Sequence, residues 1–422
     1  MRVIADFHLH SKYSRATSRD MDLEHIALST QRKGINIIGT GDFTHPEWFH
    51  ELTSKLEPAE EGFYKLKNQN DKNNKIENQV RFIITGEISN IYQRGGKTRR
   101  VHNVIVLPSL ESAEKINNAL SWQGNLKSDG RPILGMDSEE LLKIVFKAEP
   151  KAMFIPAHIW TPWFAVFGSM SGFNSLEEAF GENTKYLSAL ETGLSSDPQM
   201  NWRISSLDKF ALVSNSDAHS PNNIGREANI FNIDFNYSSL REAIIKKDRT
   251  KFLYTIEFFP EEGKYHYDGH RLCKVRMSPE ERKKVKGICP VCGRSLTVGV
   301  LSRVEELADR PKGEVPANAI PFKSLVPIRE IIAESFDCQV KTKAVEEEYQ
   351  KLISQFPNEF YILLEASDKD LQKATTPKIA NGIIGIREGK VILEPGYDGE
   401  YGKVKAFSDK ELKDIAAQEE LF

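Results

Sequence analysis

Acidic and histidine side chains stand at the ends of short apolar runs between residues 6 and 219, and this placement constrains the chain more than any other feature. Asp6-Phe7-His8-Leu9-His10 follows Val3-Ile4-Ala5, Gly41-Asp42 follows Ile35 to Thr40, and Glu87 follows Phe82-Ile83-Ile84. His158 closes the run Met153 to Ala157, and Asp217-Ala218-His219 follows Ala211-Leu212-Val213. Short strands that each end in a possible ligand build one pocket from many strand ends. Imidazole together with carboxylate suits divalent metals, and metals in an open pocket suit hydrolysis.

With 422 residues, 40% apolar and 28% charged, the chain is long enough for about two or three domains, each with its own core. No apolar run approaches the ~18 residues of a membrane span, so a soluble protein with no membrane partner is expected. Met1 to Asp6 runs straight into a candidate strand, which leaves no room for a secretory signal and sets a cytoplasmic location as the expectation. The formal net charge of -3 gives no global attraction to nucleic acid. Such a partner must be held by local basic patches and bound cations.

Up to about residue 258, β-rich runs alternate with helical patterns such as Leu23 to Lys33 and Ser138 to Lys147. Asp137 suits the N-cap of the second helix, with Glu140 three places on as in a capping box. This alternation favours an α/β fold with a parallel sheet or barrel, whose catalytic groups gather at C-terminal strand ends. The stretch Leu56 to Gln79 lacks periodicity and is expected to be an inserted loop or short helices. Arg94-Gly95-Gly96-Lys97-Thr98-Arg99-Arg100 lies between two apolar runs, as a basic hairpin loop would. The expected division is a metallo-phosphoesterase domain over 1–258, a zinc-binding module over 259–302, and a C-terminal region over 303–422 with Glu/Lys-rich helices and a later Gly-rich strand segment.

His8-x-His10 places two imidazoles on one side of an extended segment, because side chains alternate along a strand. Glu87 and Asp217 could bridge cations, and two or three cations in one pocket need carboxylates between them. His219 repeats the alternate-residue geometry beside Asp217. Gly41-Asp42-Phe43-Thr44-His45 offers Asp42, His45 or both, with Asp42 preferred, and His102 begins its apolar run where the others end theirs.

In this order, His8-Leu9-His10, Asp42, Glu87, His102, His158 and Asp217-Ala218-His219 resemble the ligands of the PHP (polymerase and histidinol phosphatase) superfamily. The resemblance implies a distorted (β/α)7 barrel that hydrolyses phosphoesters with two or three divalent metals, Zn, Mg or Mn. It implies metal ligation by His8, His10, Asp42, Glu87, His102, His158, Asp217 and His219, with Asp217, Glu87 and His219 in catalytic roles. The chain departs from that pattern at Ser11-Lys12-Tyr13-Ser14-Arg15, where many members carry a further acidic residue or histidine.

Four cysteines, three of them within twenty positions, point to metal and not to a disulfide framework. His270-x-x-Cys273 and Cys289-Pro-Val-Cys292 form two ligand pairs with the spacing of zinc knuckles, so one closed structural Zn site is expected, with His266 as an alternative ligand.

This segment, then Arg303-Val304-Glu305-Glu306-Leu307-Ala308 and Pro395 to Gly402, resembles the endonuclease Q family over nearly the whole chain. The resemblance implies a DNA repair endonuclease that nicks 5′ to deaminated bases (uracil, hypoxanthine, xanthine) or at abasic sites, with base flipping. The alternative is a PHP phosphatase or exonuclease on small phosphoesters or DNA ends. Arg94, Lys97, Arg99 and Arg100 are candidate phosphate contacts, and Trp160, Trp163 and the stretch Glu191 to Trp202 are candidates for gripping a base. The end of the chain, with Gln418, Leu421 and Phe422, looks like a shortened sliding-clamp-binding peptide.

Overall fold

The computed structural model describes residues 1–67 and 79–407. Its strands are β1 (Arg2–Asp6), β2 (Ile37–Gly39), β3 (Leu56–Pro58), β4 (Tyr64–Leu66), β5 (Arg81–Arg94), β6 (Lys97–Leu107), β7 (Ile133–Leu134), β8 (Met153–Pro156) and β9 (Leu190–Glu191). They continue with β10 (Leu212–Val213), β11 (Ala228–Asn232), β12 (Phe252–Glu257), β13 (Asp268–His270), β14 (Val275–Met277), β15 (Phe322–Ser324), β16 (Ile392–Glu394) and β17 (Lys403–Lys405). An eleven-stranded sheet runs β15-β12-β11-β1-β2-β5-β4-β3, with β6 and β7 also on β5 and β8 on β6.

The sheet is mixed, which corrects the expectation of a parallel one. β1–β2, β2–β5 and β12–β15 are parallel, whereas β1–β11, β11–β12, β5–β6 and β6–β8 are antiparallel. The cause lies in the connections. Gly95 and Gly96, with φ of 62° and 72°, make a two-residue turn that sends β5 straight back as β6, so the basic segment is a hairpin tip and not a crossover. The stretch after Leu56 supplies β3 and β4 in its described part, not helices.

The named strands do not close into a ring, yet backbone hydrogen bonds outside them carry the arrangement around. Ser188 N donates to Phe154 O (3.0 Å) and Ile159 N to Glu191 O (3.1 Å), joining β8 to β9. β9 pairs with β10 in parallel, and His10 N donates to Ala218 O (2.9 Å), tying the segment after β10 to the one after β1. The residues that follow these strands therefore converge.

Alternation along the strands divides the core. Val3, Ala5, Phe7, Ile83, Ile155 and Val213 belong to one buried cluster, while Ile4, Phe82, Ile84, Phe154 and Leu212 pack with helices in another. Burial on both faces explains why the strands read as nearly continuous apolar runs. Asp137 caps Ser138–Ala148 as expected, but it accepts from Glu139 N and the capping box with Glu140 does not form; Asp22, not singled out from the sequence, accepts from His25 N before Leu23–Lys33. Among the described residues no helix is long and apolar enough to cross a membrane.

Beyond the Cys/His segment, β15 adds itself to β12, and five helices from Ile328–Ser335 to Pro377–Arg387 precede the β16–β17 pair. Lys33 Nζ meets Glu359 at 2.9 Å, with both side chains buried. Arg303, in the helix Val300–Leu307, donates to the carbonyls of Phe167 and Phe173 and so fixes the segment that follows His158. Gln418, Leu421 and Phe422 lie outside the described residues.

Glu257, at the end of β12, is fully buried and accepts from Thr192 and Thr255 hydroxyls. Burial raises its carboxyl from 4.5 to about 8. Between these values the folded chain binds the proton and the unfolded chain does not, so stability falls as pH rises through the window. Glu257→Gln is therefore expected to raise the melting temperature relative to wild type at pH 8, with the difference closing towards pH 4.5, in thermal melts at the two pH values.

Candidate metal centre

Three of the expected ligands stand on strained backbone. Asp42, His158 and Asp217 have φ of 49°, 29° and 45°, a left-handed region that non-glycine residues seldom occupy and that clusters at functional sites. These turns aim side chains from separate strand ends inward. Asp6 braces the Asp217 turn by accepting from Ser216 N (3.1 Å) and Gly225 N (3.1 Å).

The convergence yields two groups with a shared member. His8, His10, Glu87 and Asp217 offer ligand atoms that all lie within 4.8 Å of one another, as do Glu87, His102 and His158. His10 Nε2 is 3.1 Å from Asp217 Oδ1 and 3.3 Å from Glu87 Oε2, and His8 Nε2 is 3.6 and 3.5 Å from the same oxygens. His8 Nε2, His10 Nε2 and Asp217 Oδ1 are nevertheless buried without a hydrogen-bond partner. Buried polar atoms normally find one, so three orphans facing a common point fit a cation. In the second group Glu87 Oε1 lies 2.7 Å from His102 Nδ1 and 3.1 Å from His158 Nε2. Glu87 could thus bridge two ions.

Carboxylates behind the imidazoles orient them. His8 Nδ1 lies 3.0 Å from Glu191 Oε1, and His10 Nδ1 lies 3.1 Å from Asp42 Oδ1. With Nδ1 donating in this way, the Nε2 lone pair points into the site, which is the usual outer support of a histidine ligand. The fields agree. Burial alone would raise Glu87 and Asp217 and lower His8 and His10. Opposite charges outweigh it, holding the two carboxyls well below their ordinary range and the two imidazoles above theirs. Burial dominates at His102 and takes it down to about 4.

Asp42 and His219 join neither group. Asp42 Oδ2 is occupied by Ser11 N and Ser11 Oγ, both at 2.7 Å, and by Ser14 Oγ at 2.9 Å. Ser14, where the sequence departs from the pattern it resembles, is thus a donor to Asp42. His219 Nδ1 is 2.9 Å from the carbonyl of Asp217, two positions back, and its ring lies 4.4 Å from that of His10. His45 stacks on Tyr13 at 4.6 Å. Glu191, read from sequence only as the start of a base-gripping stretch, is a buried member of the site, holding His8, the His158 amide (2.8 Å) and Asn215 (2.9 Å). It ends the run Leu187 to Leu190, so the same strand-end signal marked it. Arg131 was also missed: its Nη1 donates to Glu87 Oε2 at 3.0 Å from a loop with no motif.

The DNA-contact candidates fare unevenly. Trp160 is fully buried, donates to Asn201 Oδ1 at 2.8 Å and stacks on Phe167, so it has no face free for a base. Trp163 is partly exposed and meets Tyr265 edge-on at 5.4 Å. Arg94 is held by Asp137, Glu139 and the Ala179 carbonyl, and Arg99 by the Gly172 carbonyl and the Phe173 ring. Packing has claimed both guanidiniums. Lys97 is exposed at the hairpin tip, and Arg100 lies 5.7 Å from the Phe164 ring.

Ligand atoms of His270, Cys273, Cys289 and Cys292 likewise come within 4.8 Å of one another. The β13–β14 hairpin presents the first pair, and a tight loop with Cys289 N bonded to Arg294 O (2.7 Å) presents the second. Four soft ligands with no open position suit a structural zinc. His270 points into the group, and His266 lies outside it.

A family model for the MJ0043 C-terminal domain matches residues 327–390. The Methanocaldococcus jannaschii protein MJ0043 is 35% identical over 58% of this chain, which spans only 31% of that relative's length. Bacillus subtilis YqxK is 28% identical over 96% of this chain and 99% of its own. Among solved structures, the lesion-specific endonuclease PfuEndoQ of Pyrococcus furiosus matches with a TM-score of 0.84 and 29% identity over 99% of both chains. Endonuclease Q in complex with a 27-mer duplex bearing an abasic lesion at its active site matches with a TM-score of 0.84 and 30% identity over 98% of both chains. Alike in sequence and in structure from end to end, the chain belongs to the endonuclease Q family.

Proposed function

We propose that this chain is a metal-dependent DNA repair endonuclease that hydrolyses the phosphodiester 5′ to deaminated bases or abasic sites. The observation that carries the reading is the set of three orphaned buried atoms, His8 Nε2, His10 Nε2 and Asp217 Oδ1, facing one another beside Glu87. An abasic duplex occupies the active site of a structural relative. The mixed sheet and the backbone bonds that extend it support a distorted (β/α)7 PHP barrel, with divisions at 258 and 302 separating barrel, zinc module and C-terminal region.

His8, His10, Glu87 and Asp217 would hold one divalent ion, and Glu87, His102 and His158 a second. When bound, such ions supply Lewis acidity at the phosphate and acidify an attacking water. Glu191 and Asp42 keep His8 and His10 in the tautomer that leaves Nε2 free. His219, half-exposed beside His10, stands where it could pass a proton to the leaving oxygen. A deaminated or missing base pairs weakly, which lowers the cost of extruding the nucleotide. Lys97, Arg100 and Trp163 remain as DNA contacts, the terminal Gln418, Leu421 and Phe422 as a clamp-binding segment, and DNA as substrate fits a cytoplasmic protein.

Duplexes of about thirty base pairs, each with one uracil, hypoxanthine or abasic site, test this reading in Mg, Mn or Zn. A metal-dependent nick immediately 5′ to the lesion is expected. Digestion from DNA ends or release of phosphate without such a nick would overturn it.

A further inference from the structure

Arg131 lies on a stretch of backbone clamped on several sides. Asp129 Oδ1 accepts from Arg15 N and Arg131 N, both at 3.2 Å, and Asp129 Oδ2 meets Arg15 Nε at 3.2 Å. Gly130 N donates to Tyr13 O (3.1 Å), and Ser89 N donates to Pro132 O (3.0 Å). A Cβ at Gly130 would fall 2.2 Å from Asp42 Oδ2 and 2.4 Å from Ser14 Oγ, so only glycine lets this loop lie against the site. Such clamping is what a side chain with a precise target needs.

That side chain is underused by the protein. Its single side-chain hydrogen bond among the described residues goes from Nη1 to Glu87 Oε2, although a guanidinium carries five N–H donors, and it remains 26% exposed. Four carboxylates touch the ligand side chains, Glu87, Asp217, Asp42 and Glu191, and a fifth, Asp6, accepts from the His8 amide. With an ion in each ligand group, Glu87 would be spent on those ions. Arg131 would then lose its one side-chain partner and stand at the mouth of the site with its donors open. The other guanidinium nearby, Arg226, reaches only the carbonyls of Ser216 and Asp217 and lies in the field of Glu227, Glu262 and Glu330. A phosphodiester carries one negative charge and two non-bridging oxygens, which match a guanidinium fork.

We infer that Arg131 is a substrate-binding residue that grips the scissile phosphodiester when the site is loaded with metal, having paired with Glu87 until then. The inference rests on the proposed endonuclease activity. It assigns to Arg131 a contact with one phosphate, distinct from the spread of basic contacts along a duplex.

The test compares wild type, Arg131→Met and Arg131→Lys on two duplexes with a tetrahydrofuran abasic analogue, identical except that one has a neutral methylphosphonate immediately 5′ to the lesion. Affinity is read by fluorescence anisotropy in calcium buffer, with metal content and thermal melting measured for each protein. Arg131→Met should bind the charged duplex about tenfold more weakly than wild type, and its loss on neutralising the linkage should be about tenfold smaller, the coupling expected of one charge-assisted contact. Arg131→Lys should fall between the two. If Arg131→Met loses bound metal, the comparison rests on Arg131→Lys. Equal losses for wild type and variant on the neutral linkage would overturn the assignment. Failure of wild type to nick an abasic duplex in each of Mg, Mn and Zn would overturn the endonuclease reading instead.

Discussion

Glu87→Gln is expected to abolish nicking to within about one part in a thousand of the wild-type rate, because several kcal/mol of metal-derived transition-state stabilisation depend on that one side chain. Glu87 is the only residue common to both ligand groups. Its oxygens face His8, His10, His102, His158 and Arg131 within 3.5 Å. An amide preserves shape yet removes the charge that lets two cations lie close together. The same variant should lose the rise in melting temperature that saturating metal gives wild type, which amounts to about 2.7 kcal/mol at a hundredfold excess over Kd. Metal content and thermal melts with added manganese measure the first cause, and single-turnover nicking the second. A variant that kept both ions and a rate within tenfold of wild type would sink the shared-ligand reading.

Cys289→Ser should have the largest effect on folding while leaving the metal centre intact. The buried apolar cluster around the Cys/His group consists of Val275, Cys289 and Leu296, which is too small to order the segment by burial alone. Leu272 and Val291, at the tips of the two knuckles, are 78% and 68% exposed and contribute little packing. On the reading of this group as a zinc site, the bound ion would supply the folding free energy, about 10 kcal/mol or more in comparable peptide sites. Loss of one zinc equivalent and new protease cleavage between residues 271 and 295 are the expected results. The β1–β12 region should keep its melting transition, because its core clusters share no residue with this one. An unchanged protease pattern in zinc-free protein would contradict a structural role.

How much of this was legible in the sequence can be judged residue by residue. His8, His10, Glu87, His158 and Asp217 follow apolar runs, and each belongs to a ligand group. His102 fitted poorly because β6 runs antiparallel to β5, so its side chain reaches the site from the opposite chain direction. Asp42 carried the strand-end signal too, but Ser11 and Ser14 occupy its Oδ2 and His10 Nδ1 its Oδ1, and hydrogen bonds of that kind have no sequence period. Trp160 looked available because it follows His158, whereas Phe167 and Asn201 enclose it. Arg94 looked free because its partners, Asp137 and Glu139, lie some forty positions away.

The chemistry of the chain was determined locally. Strand ends with imidazole or carboxylate, and two paired knuckle ligands, select metal-binding groups through side-chain type and periodicity alone. Only the tertiary structure decided which groups share a member and which side chains support them. The Gly95-Gly96 turn lays β6 back beside β5 and brings His102 to Glu87. The loop from Asp129 to Pro132 brings Arg131 to the same carboxylate from 44 positions away. Distances of that kind depend on how the whole chain closes on itself, and no local pattern encodes them.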